Sequence, residues 1–297
     1  MDKLQSISIL GCGVVGTAVG TGLRGFGHDV IFYDIESQKI QELQRNGFDA
    51  TLSIAEASEK SHASFICVPT PTNKGRIDLS YVKTVVKSLG KSLKKKRDYH
   101  LVVIKSTVIP TTTERIIVPI LEKYAGKKVG EQLGICANPE FLTEIHHSWT
   151  ASESFERRFS NEPLIVIGEL DRKSGDLLQA LYEEWKRPII RTDLRTAETI
   201  KYAFNCALAT RISYWNEIFY ICKMLDVDST IVAQAASLDE RIGRYGTIHG
   251  KAFGGKCLPK DLEAFIRFSN DLGYRPKLLK AVEDINERIK SEKGVRE

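Results

Sequence analysis

Short apolar runs and amphipathic stretches alternate through roughly the first 190 residues, and that alternation constrains the fold more than any other feature. The runs are Ser6–Leu10, Asp29–Tyr33, Ser64–Val68, Leu101–Lys105, Leu133–Ala137, Leu164–Ile167 and Pro188–Arg191. They are rich in Ile, Val and Leu, as strands covered on both faces are. Between them lie Val14–Phe26, Glu36–Arg45, Leu79–Leu93, Thr112–Lys123 and Lys173–Trp185, each with a helical apolar period. This order implies an α/β fold with a parallel, doubly wound sheet. The pattern changes after Asp193. Thr196 to Leu225 holds no proline and no glycine, so it reads as a helix of about 30 residues, some 45 Å long. Ser229–Ser237, Pro259–Leu272 and Pro276–Glu292 read as further helices. The expected boundary is near residue 194, with a Rossmann-like α/β domain over 1–193 and an all-helical domain with a long spine helix over 194–297. His146 to Glu162 has no clear period and reads as a long loop.

A chain of 297 residues is about two domains long and can bury a large core without staples. Its net charge of +5 is small and spread out, which argues against nucleic acid as a partner. The basic run Lys94-Lys95-Lys96-Arg97 reads as a solvated helix end. The longest unbroken apolar run, Ile218 to Cys222, is far short of the roughly 20 residues that span a bilayer, so no membrane helix is expected. Its first residues run straight into an apolar strand-like stretch, so no secretory signal is expected. The six cysteines are scattered without a CxxC pair, so reduced thiols and a cytoplasmic protein are expected, with no metal centre.

The chemistry concentrates in a few segments. Gly11-Cys12-Gly13-Val14-Val15-Gly16 follows a strand and opens a helix. Its glycines permit a tight turn, close approach of a pyrophosphate and close helix packing, and the helix N-terminus supplies N–H groups. Asp34 ends the second strand, where a carboxylate takes ribose hydroxyls and repels a 2′-phosphate. NAD is therefore expected rather than NADP, with Lys39 in reach of the adenosine ribose. Two loops, Val68-Pro69-Thr70-Pro71-Thr72 and Ser106-Thr107-Val108, lie at strand C-termini, where open α/β sheets bind ligands. Each also reads as a turn with capping hydroxyls. In Asn138-Pro139-Glu140-Phe141-Leu142-Thr143-Glu144, Glu140 and Glu144 would share one helical face as base and positioner, or simply enrich a helix start in acids. Lys201 and Asn205, also four apart, can donate together to an oxyanion, although most such pairs are solvated. In Phe253-Gly254-Gly255-Lys256-Cys257-Leu258-Pro259-Lys260-Asp261-Leu262, Pro259 fits a first helical turn. Cys257 then sits at a helix N-terminus, where the dipole and flanking lysines favour a thiolate. Asp261 lies one turn on and could hold a water or the thiol.

Taken in order, GCGVVG, VPTPT, STV, NPEFL, AETIKYAFNCALATRISYWNEI, RIG and FGGKCLPKDL resemble the UDP-glucose/GDP-mannose dehydrogenase family from about residue 6 to the C-terminus. The resemblance implies an NAD-dependent oxidation of a nucleotide sugar, a UDP-sugar ahead of a GDP-sugar, from the C6 alcohol to the carboxylate with no release of the aldehyde. It implies that Cys257 is the nucleophile, that Lys201 and Asn205 stabilise the oxyanion, and that Lys201 also assists the first proton removal. It makes Asp261 and Thr107 the residues that place water, Glu140 the one that helps hydrolyse the thioester, and Glu144 a neighbour of the nicotinamide. Val14, Val15, Val68, Pro69, Thr70 and Ser106 would line the cofactor. Phe141, Leu142, Phe253 and Gly254 would line the substrate, with Ile248 to Gly255 as the sugar loop. Arg241 would reach the substrate of a neighbouring subunit, and the long helix would be the spine of a homodimer.

The sequence also departs from the family pattern. In the family pattern a nucleotide-gripping third domain would follow the helix holding Ala281–Glu292, and this sequence runs to Glu297, so a separate nucleotide-binding chain is among the expected partners. Ile145 and Thr111 stand where the family has glycines, Leu164 where it has an arginine, and His146 to Phe159 is rearranged. Two other readings remain at this point. A β-hydroxyacid dehydrogenase-like enzyme also joins such domains and pairs a lysine with an asparagine four residues on, but does not need Cys257. A non-catalytic or split-enzyme subunit needs none of the chemistry.

Overall fold

The computed structural model describes residues 6–142, 149 and 159–296. The chain divides into two compact units. The first comprises Met1–Pro71, Asp78–Leu142 and Arg157–Lys201, and the second Thr72–Ile77, Thr143–Glu156 and Tyr202–Glu297.

In chain order the first unit begins with β1 (Ser6–Leu10), α1 (Val14–Gly25), β2 (Asp29–Tyr33), α2 (Ser37–Arg45), β3 (Asp49–Thr51), α3 (Ile54–Glu59) and β4 (Ala63–Ile66). A short antiparallel pair, β5 (Thr72–Asn73) and β6 (Arg76–Ile77), belongs to the second unit. The first unit resumes with α4 (Ser80–Leu93), β7 (His100–Ile104), α5 (Val118–Ala125), β8 (Leu133–Ala137), β9 (Ile165–Glu169), α6 (Arg172–Leu181) and β10 (Ile189–Asp193). Eight strands make one sheet in the order β10-β9-β8-β7-β4-β1-β2-β3. Apolar clusters cover both faces. Ile7, Ile9, Phe32 and Phe65 pack with Val19 and Leu23 of α1 on one side. Leu10, Ile66, Val102 and Ile104 pack with Val82, Val86 and Leu89 of α4 on the other. Each such side chain, fully buried, contributes about 1.5–3 kcal/mol. In α1 the buried set Gly16, Val19, Gly20 and Leu23 follows the spacing of a single helical face.

Two details differ from the sequence reading. The sheet is parallel except between β8 and β9, which pair antiparallel. Parallel neighbours require a crossover, usually a helix, and the sequence between β8 and β9 carries no helical period to supply one. The helix expected over Thr112–Lys123 begins as a π-helical turn, Thr113–Ile117, before α5. Pro119 at the start of α5 has no N–H to give, so the ladder is irregular just ahead of it.

The long helix α7 runs over Leu194–Met224, and residues from Tyr202 onward belong to the second unit. There it is followed by α8 (Ser229–Ala236), β11 (Ala252–Phe253), α9 (Leu258–Asp271), α10 (Lys277–Lys293) and β12 (Val295–Arg296). The core of this unit gathers Cys206, Ala209 and Ile212 of α7 with Phe253, Leu258, Leu262, Ile266 and Val282. No described helix is long and apolar enough to cross a membrane.

Candidate active site

The glycine loop is built as a dinucleotide cradle. Gly11 has φ +104, and a Cβ there would lie 3.0 Å from the Cys67 backbone. A Cβ on Gly16 would lie 1.9 Å from the Gly11 carbonyl oxygen, so only glycine lets α1 start this close to β1. Gly13 caps α1, and nothing lies within 4 Å of where its Cβ would be, which leaves the helix N-terminus open to a pyrophosphate. Val14 is exposed at that opening, while Val15 packs against the core. Asp34, at the end of β2, accepts the Cys12 N–H at 2.7 Å through Oδ2 and the Glu36 N–H at 3.0 Å through Oδ1. Lys39 Nζ lies 2.7 Å from Glu36 and 3.8 Å from Asp34, beside the position a ribose would take. These residues fit NAD on their own geometry.

The loops after β4 and β7 lie at the same C-terminal edge of the sheet and are tied together. Thr70 donates through its hydroxyl to the Thr107 carbonyl at 2.7 Å, and Ser106 donates to the Val68 carbonyl at 2.7 Å. Pro69 is exposed. After β8, Asn138–Leu142 is irregular rather than helical, so it does not carry Glu140 on a helical turn. Glu144 lies outside the described residues.

Glu140 and Lys201 form a buried ion pair. Lys201 Nζ donates to the Glu140 carbonyl at 2.6 Å and to Oε1 at 3.1 Å. The other carboxylate oxygen accepts the Leu142 N–H at 2.7 Å. Burial pushes the Glu140 carboxyl up, but the Lys201 ammonium and the Leu142 N–H outweigh it and hold the group below its ordinary range. Phe141 is buried, with the Lys201 ammonium 5.4 Å from its ring centre. Beneath this pair lie groups that sequence reasoning did not single out. Lys105, buried, donates to Asn138 Oδ1 at 3.1 Å, and Tyr182 donates to the same oxygen at 2.6 Å. Glu162 accepts the Phe141 N–H at 2.8 Å and is pushed up by burial. Its Oε1 has no partner among the described residues. Glu198, one helical turn before Lys201, accepts the N–H groups of Thr111 and Thr113. A small cavity is lined by Ser106, Thr107, Val108, Pro139, Glu198 and Lys201. Sequence offered a signal for Glu198, since it shares a helical face with Lys201. It offered little for Glu162, which precedes a strand in a stretch without period.

In the second unit Cys257 is the exposed member of six free cysteines, and the other five are buried. It is the N-cap of α9, with Pro259 in the first turn as the sequence suggested. Asp261, one turn into the helix, is buried and donates its N–H to the Cys257 carbonyl at 2.9 Å. Its carboxylate accepts from Asn205 Nδ2 at 2.6 Å and from Lys260 Nζ at 2.5 Å. Arg241 is exposed and paired with Asp239 at 2.6 Å. Two buried asparagines, also missed from sequence, hold the segment before Cys257. Asn286 accepts the Phe253 N–H at 2.9 Å and donates to its carbonyl at 3.1 Å. Asn216 accepts the Gly250 N–H at 2.9 Å and donates to the Lys251 carbonyl at 3.0 Å. Gly254 and Gly255 then lead into Cys257, with Gly255 at φ +74. Among the described residues no cluster of His, Cys, Asp and Glu could hold a metal ion.

Residues 45–186 match the NAD binding domain of the UDP-glucose/GDP-mannose dehydrogenase family, and residues 195–288 match its central domain. A GDP-mannose 6-dehydrogenase of Pseudomonas savastanoi pv. phaseolicola is 38% identical, the alignment covering 93% of this chain and 66% of that protein. The UDP-glucose 6-dehydrogenase AglM of Haloferax volcanii is 37% identical over 95% of this chain and 70% of its own length. The structure of a UDP-glucose dehydrogenase from Pyrobaculum islandicum superposes with a TM-score of 0.86 at 33% identity, over 96% of this chain and 68% of that one. The chain thus spans about two thirds of the length of the curated relatives it matches. With both family domains present in order, it belongs to the UDP-glucose/GDP-mannose dehydrogenase family.

Proposed function

We propose that this chain carries the NAD-dependent C6 oxidation of a nucleotide sugar, from alcohol to carboxylate, through a covalent intermediate on Cys257. The observation that supports it most is the surroundings of Cys257. The thiol is exposed at a helix N-terminus, and the carboxylate one turn on is held by Asn205 and Lys260. Gly11, Gly13 and Gly16 would cradle NAD with Asp34 at its ribose, and two NAD bound in turn would supply the acceptor for the two hydrides. In the first half the C6 hydroxyl gives up its proton towards the Lys201–Glu140 pair as a hydride leaves carbon, forming the aldehyde. The Cys257 thiolate adds to that aldehyde, and Lys201 and Asn205 donate to the oxygen that gains charge. Loss of a second hydride gives the thioester. Water then attacks the thioester carbonyl. Thr107 and Asp261 orient it, Glu140, having passed the first proton to solvent, takes a proton from it, and the Cys257 thiolate leaves. Two hydrides leave per sugar and one water enters.

Relatives named for GDP-mannose and for UDP-glucose match at almost the same identity, 38% and 37%, so the sugar nucleotide is proposed as a class. A homodimer through the second unit is part of the proposal. Its support is the exposed apolar side chains of Ile221, Met224, Leu225 and Ile231 at the end of α7 and in α8. The test is NADH formation from UDP- and GDP-sugars by the wild type and by Cys257→Ala. Loss of acid formation in the variant supports the reading. Unchanged turnover would move the assignment to a β-hydroxyacid dehydrogenase-like reaction, which needs no thiol.

A further inference from the structure

Glu198 is a buried carboxylate that takes no part in the steps above. Its two oxygens are divided between two backbone donors. Oε2 accepts the Thr111 N–H at 2.6 Å and Oε1 accepts the Thr113 N–H at 2.9 Å. Thr111 has φ +79, a left-handed conformation rare for a β-branched residue. This turn is the continuation of the Ser106–Thr107 loop, and Glu198 lines one cavity with Ser106, Thr107 and Lys201.

We propose that Glu198 is a positioning residue that clasps the Thr111–Thr113 turn and so sets the Ser106–Thr107 loop against Lys201. The role assigned to that loop in the reaction rests on the proposed function, but the clasp does not. A carboxylate is required because two N–H donors need two acceptor oxygens. An amide would offer one oxygen and turn an NH2 towards the second donor. The charged groups around Glu198 are Arg195 and Lys201 on its own helix and Glu114 in the turn it clasps. Arg195 and Glu114 pair with each other, and Lys201 pairs with Glu140. Burial pushes the Glu198 carboxyl up to about 7 against the pull of the Thr111 and Thr113 donors. An opened turn would return the carboxyl to its ordinary 4.5, so closing the clasp is linked to proton uptake.

The experiment is hydrogen–deuterium exchange of the full chain, read on the peptide over residues 106–117. Glu198→Gln is expected to speed exchange there by about tenfold or more, with peptides in α4 and α9 unchanged. In the wild type, after correction for intrinsic pH dependence, protection of this peptide falls as pH rises from about 5 to about 7, and Glu198→Gln loses that fall. Equal exchange in the two proteins, a uniform increase along the whole chain, or a pH-independent wild type would each overturn the proposal. Should Glu198→Gln fail to fold, Thr111→Gly relieves the turn, and Thr111→Gly/Glu198→Gln is compared with Thr111→Gly alone. Faster exchange in the double variant supports the clasp, and equal exchange overturns it. Loss of protection together with no NADH from any sugar leaves the clasp standing and counts against the proposed function instead.

Discussion

Cys257 and Cys206 carry the same thiol in opposite surroundings. Burial pushes Cys206 up to about 12, and Cys67 likewise, which leaves both protonated and inert at neutral pH. Cys257 is exposed at the N-terminus of α9, where the helix end favours negative charge. Brief alkylation of the native chain is therefore expected to modify Cys257 alone, read by mass spectrometry, and Cys257→Ala is expected to stay unmodified. Labelling of a buried cysteine at a similar rate would contradict this. The Lys201–Glu140 pair makes a second residue-scale prediction. Lys201→Met leaves Glu140 buried without its ammonium and is expected to cost about 3–5 kcal/mol in a denaturant titration. A cost below about 1 kcal/mol would mean the pair is hydrated. Glu198 gives a pH prediction with a definite sign. Its folded value, about 7, lies above its ordinary 4.5, so the folded chain binds the proton more tightly. Its contribution to stability is full below 4.5, falls as pH rises towards 7 by an amount on the order of 3 kcal/mol, and is flat above. Glu198→Gln is expected to flatten that slope in the stability–pH curve.

At the scale of elements, close approaches explain why certain small residues stand inside helices. A Cβ on Gly22 of α1 would come within 1.9 Å of the Phe159 ring. That ring packs with Phe26, Tyr182 and Trp185, and Trp185 lies 4.4 Å away centre to centre. Gly22→Ala is therefore expected to destabilise by about 1–3 kcal/mol, although alanine is the better helix former. A stabilised variant would show that Phe159 is free to move aside. The contrast between what was and was not legible in the sequence follows the same logic. Strands β1, β2 and β8 match the expected bounds residue for residue, because apolar runs of five residues between turn signals leave little choice. Strand β3 and helix α3 are three and six residues long and carry too little pattern to be read. The glycine loop and Asp34 were legible because each residue type answers a local geometric demand. Glu162, Asn216 and Asn286 were not, because their value lies in backbone groups 21 to 35 residues away in sequence.

For the whole molecule, one chain is proposed to carry both hydride transfers. The exposed apolar side chains at the end of α7 and in α8 predict a dimer, so Met224→Glu with Ile231→Glu is expected to shift the sedimentation of the chain towards monomer. Unchanged sedimentation of a wild-type dimer would place the interface elsewhere. Oxidation through Cys257 is tested by the stoichiometry of NADH formed per nucleotide sugar consumed, with wild type and Cys257→Ala in parallel. Two NADH per sugar are expected for the wild type, with a sugar acid as product, and no acid from Cys257→Ala. One NADH per sugar, or two that persist without the thiol, would contradict it.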